Sequence, residues 1–80
     1  MDLLRGSGAG MKLKLGDMVQ SKEKNYAFGL YETTRVDSPI TGDFYSKDVA
    51  IVVGRKGHQV KVITSSTALG WIWEKHLEQV

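Results

Sequence analysis

Two short runs of β-branched residues, Val49-Ala50-Ile51-Val52-Val53 and Val60-Lys61-Val62-Ile63, flank the connection Gly54-Arg55-Lys56-Gly57-His58. This arrangement most narrows what the chain can become. Branching at Cβ restricts χ1 in a helix and suits a pleated surface, and a short glycine-containing connection joins antiparallel neighbours. Apolar residues at helical spacing do not persist over about eleven positions anywhere in the sequence. The chain is therefore predicted to be all-β.

The other segments extend that reading. Gly16-Asp17 sets turn chemistry inside the pattern Leu13, Leu15, Met18-Val19, which predicts a first strand at about residues 17 to 22. Tyr26, Phe28 and Tyr31 surround Gly29, and Asp37-Ser38-Pro39-Ile40-Thr41-Gly42-Asp43 gives two turn signals in succession. Residues 25 to 48 thus read as a long acidic first loop or an irregular hairpin. Gly70-Trp71-Ile72-Trp73 reads as a short strand, and Glu74 to Val80 as one helical turn before a terminal strand. About five short strands separated by turns predict a small barrel, which removes the open edges a flat sheet of this size would leave. The expected core is Leu15, Val19, Val49, Ile51, Val53, Val60, Val62, Ile72 and Leu77.

A chain of 80 residues has room for one such domain, here residues 11–80. A domain this small needs nearly all its large apolar side chains for the core. The first ten residues contain Gly6-Ser7-Gly8-Ala9-Gly10, read as a flexible arm, an upstream start or a cloning remnant. There is no cysteine, which excludes a disulfide scaffold, a thiol nucleophile and thiolate-bound zinc. Apolar runs fall far short of a membrane span, so a cytoplasmic protein without membrane contact is expected. The net charge of +2 is small and its distribution says more. Residues 25 to 48 carry four acids against two bases, between flanks in which bases predominate. Basic residues do not run together beyond Arg55-Lys56, and a solvated mixed surface is the ordinary outcome of such a pattern.

At its two ends the sequence resembles a known fold family. Lys12-Leu13-Lys14-Leu15-Gly16-Asp17-Met18-Val19 resembles the opening strand of bacterial and phage SH3-like barrels, and Gly70 to Val80 resembles their closing strand, 3₁₀ turn and final strand. The whole is most similar to small uncharacterised SH3-like proteins of bacteriophages, marine ones especially. The resemblance implies a standalone barrel in a host cytosol or a virion, and it names no common ligand. In the peptide-binding members, a proline follows the closing strand and a tyrosine three positions later joins it on the ligand face. Trp73 and His76 stand at those positions. The first loop of those domains supplies aromatic and acidic residues, for which Tyr26, Tyr31, Glu32, Asp37, Asp43 and Asp48 are the counterparts. Their alanine-leucine-tyrosine-aspartate-tyrosine run and their paired tryptophan are absent.

Strand alternation places Trp71 and Trp73 on one face and Ile72 on the other. With Ile72 in the core, an outward pair of indoles combines large contact area with a polar N–H and little entropy to lose. The candidate partner surface is therefore Trp71, Trp73, His76, Tyr26, Tyr31, Glu32 and Asp43, and the function expected is a non-catalytic adaptor for a protein or peptide. His58 and His76 lack a third ligand at metal spacing, so neither a metal nor a cofactor is expected. One alternative is a nucleic-acid-binding barrel of the Tudor or KOW kind, in which Arg55, Lys56 and Lys61 gather beside exposed aromatics. Another is a pore enzyme like the plasmid-type dihydrofolate reductases, although Val60-Lys61-Val62-Ile63 stands where those chains have valine-glutamine-isoleucine-tyrosine. A homo-oligomer is a further possibility, with Leu3-Leu4 of the arm adding to a neighbour's sheet.

Overall fold

The computed structural model describes residues 12–80, so the expected arm at residues 1–10 lies outside the described residues. The chain is all-β. Among the described residues, seven strands form one open antiparallel sheet: β1 (Met18–Ser21), β2 (Phe28–Tyr31), β3 (Ile40–Phe44), β4 (Val49–Lys56), β5 (Gln59–Thr64), β6 (Leu69–Trp73) and β7 (Leu77–Gln79). Their order across the sheet is β3-β2-β6-β5-β4-β1-β7. A 3₁₀ turn, Glu74–His76, stands before β7, where the sequence predicts a helical turn and the resemblance implies one of this kind. Among the described residues, no helix is long and apolar enough to cross a membrane.

Turn chemistry joins these strands. The Lys14–Asp17 turn has Gly16 at φ +92°, with the Asp17 N–H bonded to the Lys14 carbonyl and the Asp17 carboxylate accepting from the Lys14 N–H. At the β4–β5 hairpin, Lys56 pairs with Gln59, and only the first of the two central residues, Gly57, has positive φ. That is the type II′ geometry whose twist matches the flanking strands. Of the two readings of residues 25 to 48, a long first loop or an irregular hairpin, the structure shows the hairpin, formed by β2 and β3 with a register shift between Leu30 and Tyr31. The two strands of this hairpin raise the strand count among the described residues from about five to seven.

One cluster collects side chains from every strand: Val19, Leu30, Phe44, Ala50, Val52, Val60, Val62, Ile72 and Leu77, joined by Leu13. A sheet whose seven strands all feed one cluster must curve around it. Val19, Val60, Val62, Ile72 and Leu77 lie where the sequence predicts. Leu15, Val49, Ile51 and Val53 do not, and Leu13, Leu30, Phe44, Ala50 and Val52 were not expected in the core. The error on β4 is one of phase. Five consecutive apolar residues carry no period, so neither face is marked as inward. The structure turns Ala50 and Val52 inward, and a bulge between Val52 and Gly54 leaves Val53 47% exposed. The Val52 carbonyl accepts from Gly16 and its N–H donates to the Asp17 carbonyl, so the first turn pins this phase. Leu15 is displaced outward by the same turn, and Leu13 takes its place inside.

Gly70 permits the approach of β6 to β2. A Cβ there would stand 2.8 Å from Leu30 Cβ, 2.8 Å from Thr41 Oγ1 and 2.9 Å from the Tyr31 carbonyl oxygen. These neighbours belong to two strands and cannot move independently. Gly70→Ala should therefore destabilise the fold by about 2 kcal/mol, in the range of core overpacking, as measured by urea unfolding. Val52→Ala should also remove about 2 kcal/mol through lost burial and a residual cavity. Val53→Ala should stay within about 0.5 kcal/mol of wild type. Equal effects at positions 52 and 53 would contradict the observed phase of β4.

Candidate functional site

The ladder between β2 and β6 is short. They meet in register at one pair, Tyr31 opposite Trp71, whereas β5 and β6 pair over five positions from Gln59–Trp73 to Ile63–Leu69. Beyond Tyr31 the two strands splay and open a groove of about 410 Å³, with the buried Ile72 at its base. Phe28, Gly29 and Tyr31 of β2, Trp71 and Trp73 of β6 and His76 of the 3₁₀ turn line it. Thr33 to Val36 and Gln59 complete the lining. The 32–39 loop is held from within. The Thr33 N–H donates to Ser38 Oγ at 2.7 Å, and the Glu32 N–H to the Pro39 carbonyl at 2.9 Å.

Alternation along β6 orients the indoles. Ile72 is 3% exposed while Trp73, its neighbour on the opposite face, is 45% exposed. Trp71 is half-buried because it lies across the sheet toward Gly54, where a Cβ would come within 3.6 Å of Trp71 Cη2 and 3.2 Å of Lys61 Cβ. The 3₁₀ turn then brings His76 onto Phe28. Their rings stack with centroids 4.3 Å apart and planes inclined by 21°, and Tyr26 meets the same phenyl edge-on at 5.2 Å. Partial burial holds the His76 imidazole below its ordinary value near 6.5, with Lys75 and Lys22 acting in the same direction and Glu23 opposing. His76 is thus a neutral aromatic wall near neutral pH.

Of the residues singled out from sequence, the fold gathers Tyr31, Trp71, Trp73 and His76 around one groove. Tyr26 stands behind Phe28 and does not line it. Glu32 is exposed but outside the lining, and Asp43 lies across from Gly29 on β3 with the Tyr45 hydroxyl 3.5 Å away. Asp48, counted with the acidic loop, is 6% exposed and caps the β3–β4 turn beside Ser65 and Ser66. Phe28, Arg35, Val36 and Gln59 are among the lining residues that the sequence-based candidate surface left out. An aromatic beside Gly29 is the one signal that singles out Phe28.

Arg55 is not free to contact an anion. Its guanidinium grips Glu74 through Nη1 to Oε2 at 2.7 Å and Nη2 to Oε1 at 3.0 Å, while Nη1 also donates to the Leu13 carbonyl at 3.0 Å. Glu74 Oε2 accepts from the Leu13 N–H at 2.6 Å, so the pair clamps the opening segment to the 3₁₀ turn. The bonds from Arg55 chiefly, with help from Leu13, hold the Glu74 carboxyl below its ordinary value near 4.5. Lys56 is exposed at the hairpin end, and Lys61 lies between Gly54 and Trp71 in the cross-strand row. Among the described residues, His, Asp and Glu do not gather in a group of three that could hold a metal ion.

The two shifted groups set the pH response. His76 binds a proton less readily in the native state than in the unfolded chain, so its contribution is intact above about pH 6.5 and falls as pH drops toward its lower native value. Glu74 contributes fully above about pH 4.5 and loses that contribution as pH falls through its depressed native value. The melting temperature should therefore decline in two stages on acidification. His76→Phe, which retains a stacking ring, should remove the upper stage. Glu74→Gln should remove the lower one and reduce the melting temperature at neutral pH. A wild-type melting temperature that stays flat between about pH 7 and pH 5 would contradict the upper assignment. No family model, curated protein or solved structure matches the chain, so the groove's own chemistry carries the functional reading.

Proposed function

We propose that the chain is a non-catalytic binding module of the SH3-like kind, whose working surface is the groove between β2 and β6 and whose ligand is a protein segment presented as an extended peptide. The observation that carries this reading is the half-exposed Trp73 at the edge of an apolar crevice based on Ile72. Leaving an indole half in water forgoes burial that a small domain needs, and such residues concentrate binding energy when a partner covers them. The crevice, at about 410 Å³, lies within the range of ligand sites.

Two features support the SH3-like assignment. The 3₁₀ turn stands immediately before the last strand, and all seven strands feed one core. In the resemblance, Trp73 and His76 stand at ligand-face positions of the peptide-binding members, and both line this groove. The nucleic-acid reading draws on Arg55, Lys56 and Lys61 acting together, and the engagement of Arg55 by Glu74 weighs against it. The phage likeness bears on source and leaves the ligand open.

A display library of random dodecapeptides panned on the wild-type protein tests the proposal. Clones should enrich, and their affinity should fall about tenfold or more on Trp73→Ala, the loss of an aromatic hot spot. Circular dichroism should show that this variant remains folded, since Trp73 packs largely outside the core. Failure of any clone to enrich, or equal binding to wild type and Trp73→Ala, overturns the proposal.

A further inference from the structure

We infer that the segment received by the groove is acidic: an extended peptide whose apolar side chains enter the crevice while its carboxylates meet a cationic rim. This rests on reading the groove as a peptide site and adds the chemistry of the occupant.

The rim is basic because the fold directs the nearby acids elsewhere. Glu74, between Trp73 and Lys75 in sequence, is drawn away by Arg55 and the Leu13 N–H. Lys75 is left with its Nζ 6.0 Å from the centre of the Trp73 ring. Lys61 lies directly across from Trp71. Arg35 lines the groove itself, and its ion pair with Asp37, at 3.5 Å with both side chains about three-quarters exposed, is of the weak, solvent-screened kind. Among the described residues, Arg35 is thus the one charged residue of the lining, and Lys61 and Lys75 stand beside the indoles just outside it, each next to one of them.

The spacing also fits an extended chain. Trp71 and Trp73 repeat at every second residue, and so do the side chains on one face of a bound strand. A single-stranded nucleic acid is less well served, because it needs free ring faces and a continuous cationic track. Here His76 already lies on the face of Phe28, Lys75 stands over Trp73, and Trp71 rests against Gly54. The cations stand apart from one another in sequence, on the 32–39 loop, β5 and the 3₁₀ turn.

The clones enriched on wild type supply the test. Their sequences should carry net negative charge, and their binding should weaken as salt rises from about 50 to about 300 mM. The double variant Lys61→Glu, Lys75→Glu, which leaves every lining aromatic in place, should bind them about tenfold less well. The double glutamine variant should fall between the two. Neutral or basic enriched sequences, or unchanged affinity in the charge-reversed protein, overturn the inference. If such clones still lose binding on Trp73→Ala, the groove stands and only the acidic partner fails. If they do not, the groove reading fails with it. A thymidine dodecamer binding more tightly than the acidic clones overturns the inference in favour of nucleic acid.

Discussion

The bidentate pair of Arg55 with Glu74 is the interaction on which the arrangement of this molecule depends. It joins the end of β4, the opening segment at Leu13 and the 3₁₀ turn, three pieces distant in sequence. A partly buried ion pair is a weak source of net stability, because desolvation offsets much of the attraction. Its consequence is positional. With both partners held and Leu13 bonded through both its N–H and its carbonyl, the 3₁₀ turn has one place to sit. His76 then falls on Phe28, and Lys75 falls on Trp73.

The groove follows from a conflict between β2 and β6. Gly70 lets the strands approach beside Tyr31–Trp71, where a side chain at position 70 would strike Leu30, Thr41 and the Tyr31 carbonyl. The β2–β6 ladder does not extend past that pair, and Phe28 and His76, stacked on each other, join the lining of the groove there. A sheet with one core cluster must leave its second face to solvent, and on β6 that face carries two indoles. Core packing thus makes the outward aromatics unavoidable, since inward rotation of Trp73 would carry Ile72 out to solvent.

The same pair decides the charge of the site. In sequence, Glu74-Lys75 beside Trp73 is electrically balanced, and the 25–48 segment is acidic. In space, Glu74 is withdrawn, Asp48 is buried under the β3–β4 turn, Asp37 is paired with Arg35, and Asp43 stands on β3 outside the groove lining. The cations that remain beside the aromatic lining come from three separate elements. A segment-by-segment charge count assigns the opposite sign to the neighbourhood, because it cannot see which acids are engaged.

Local backbone preferences alone fixed the all-β class, the Gly16-Asp17 turn, a hairpin connection within residues 54 to 58 and a helical turn before the last strand, while the pairing of β4 and β5 out to Lys56–Gln59 came from the structure. Alternation also places Trp71 and Trp73 together on the face opposite Ile72, and the burial of Ile72 fixes that face as the outward one. Only the tertiary structure decided the phase of Val49 to Val53, the exchange of Leu15 for Leu13 in the core, and the partner of Arg55. A run without polar interruption carries no period, and the bond that breaks the tie, from Gly16 to the Val52 carbonyl, spans a distance that no local pattern encodes. The groove belongs to the same class, for it is a space between strands joined by long-range pairing, and its cationic rim exists because Arg55 reaches Glu74 across nineteen positions of chain.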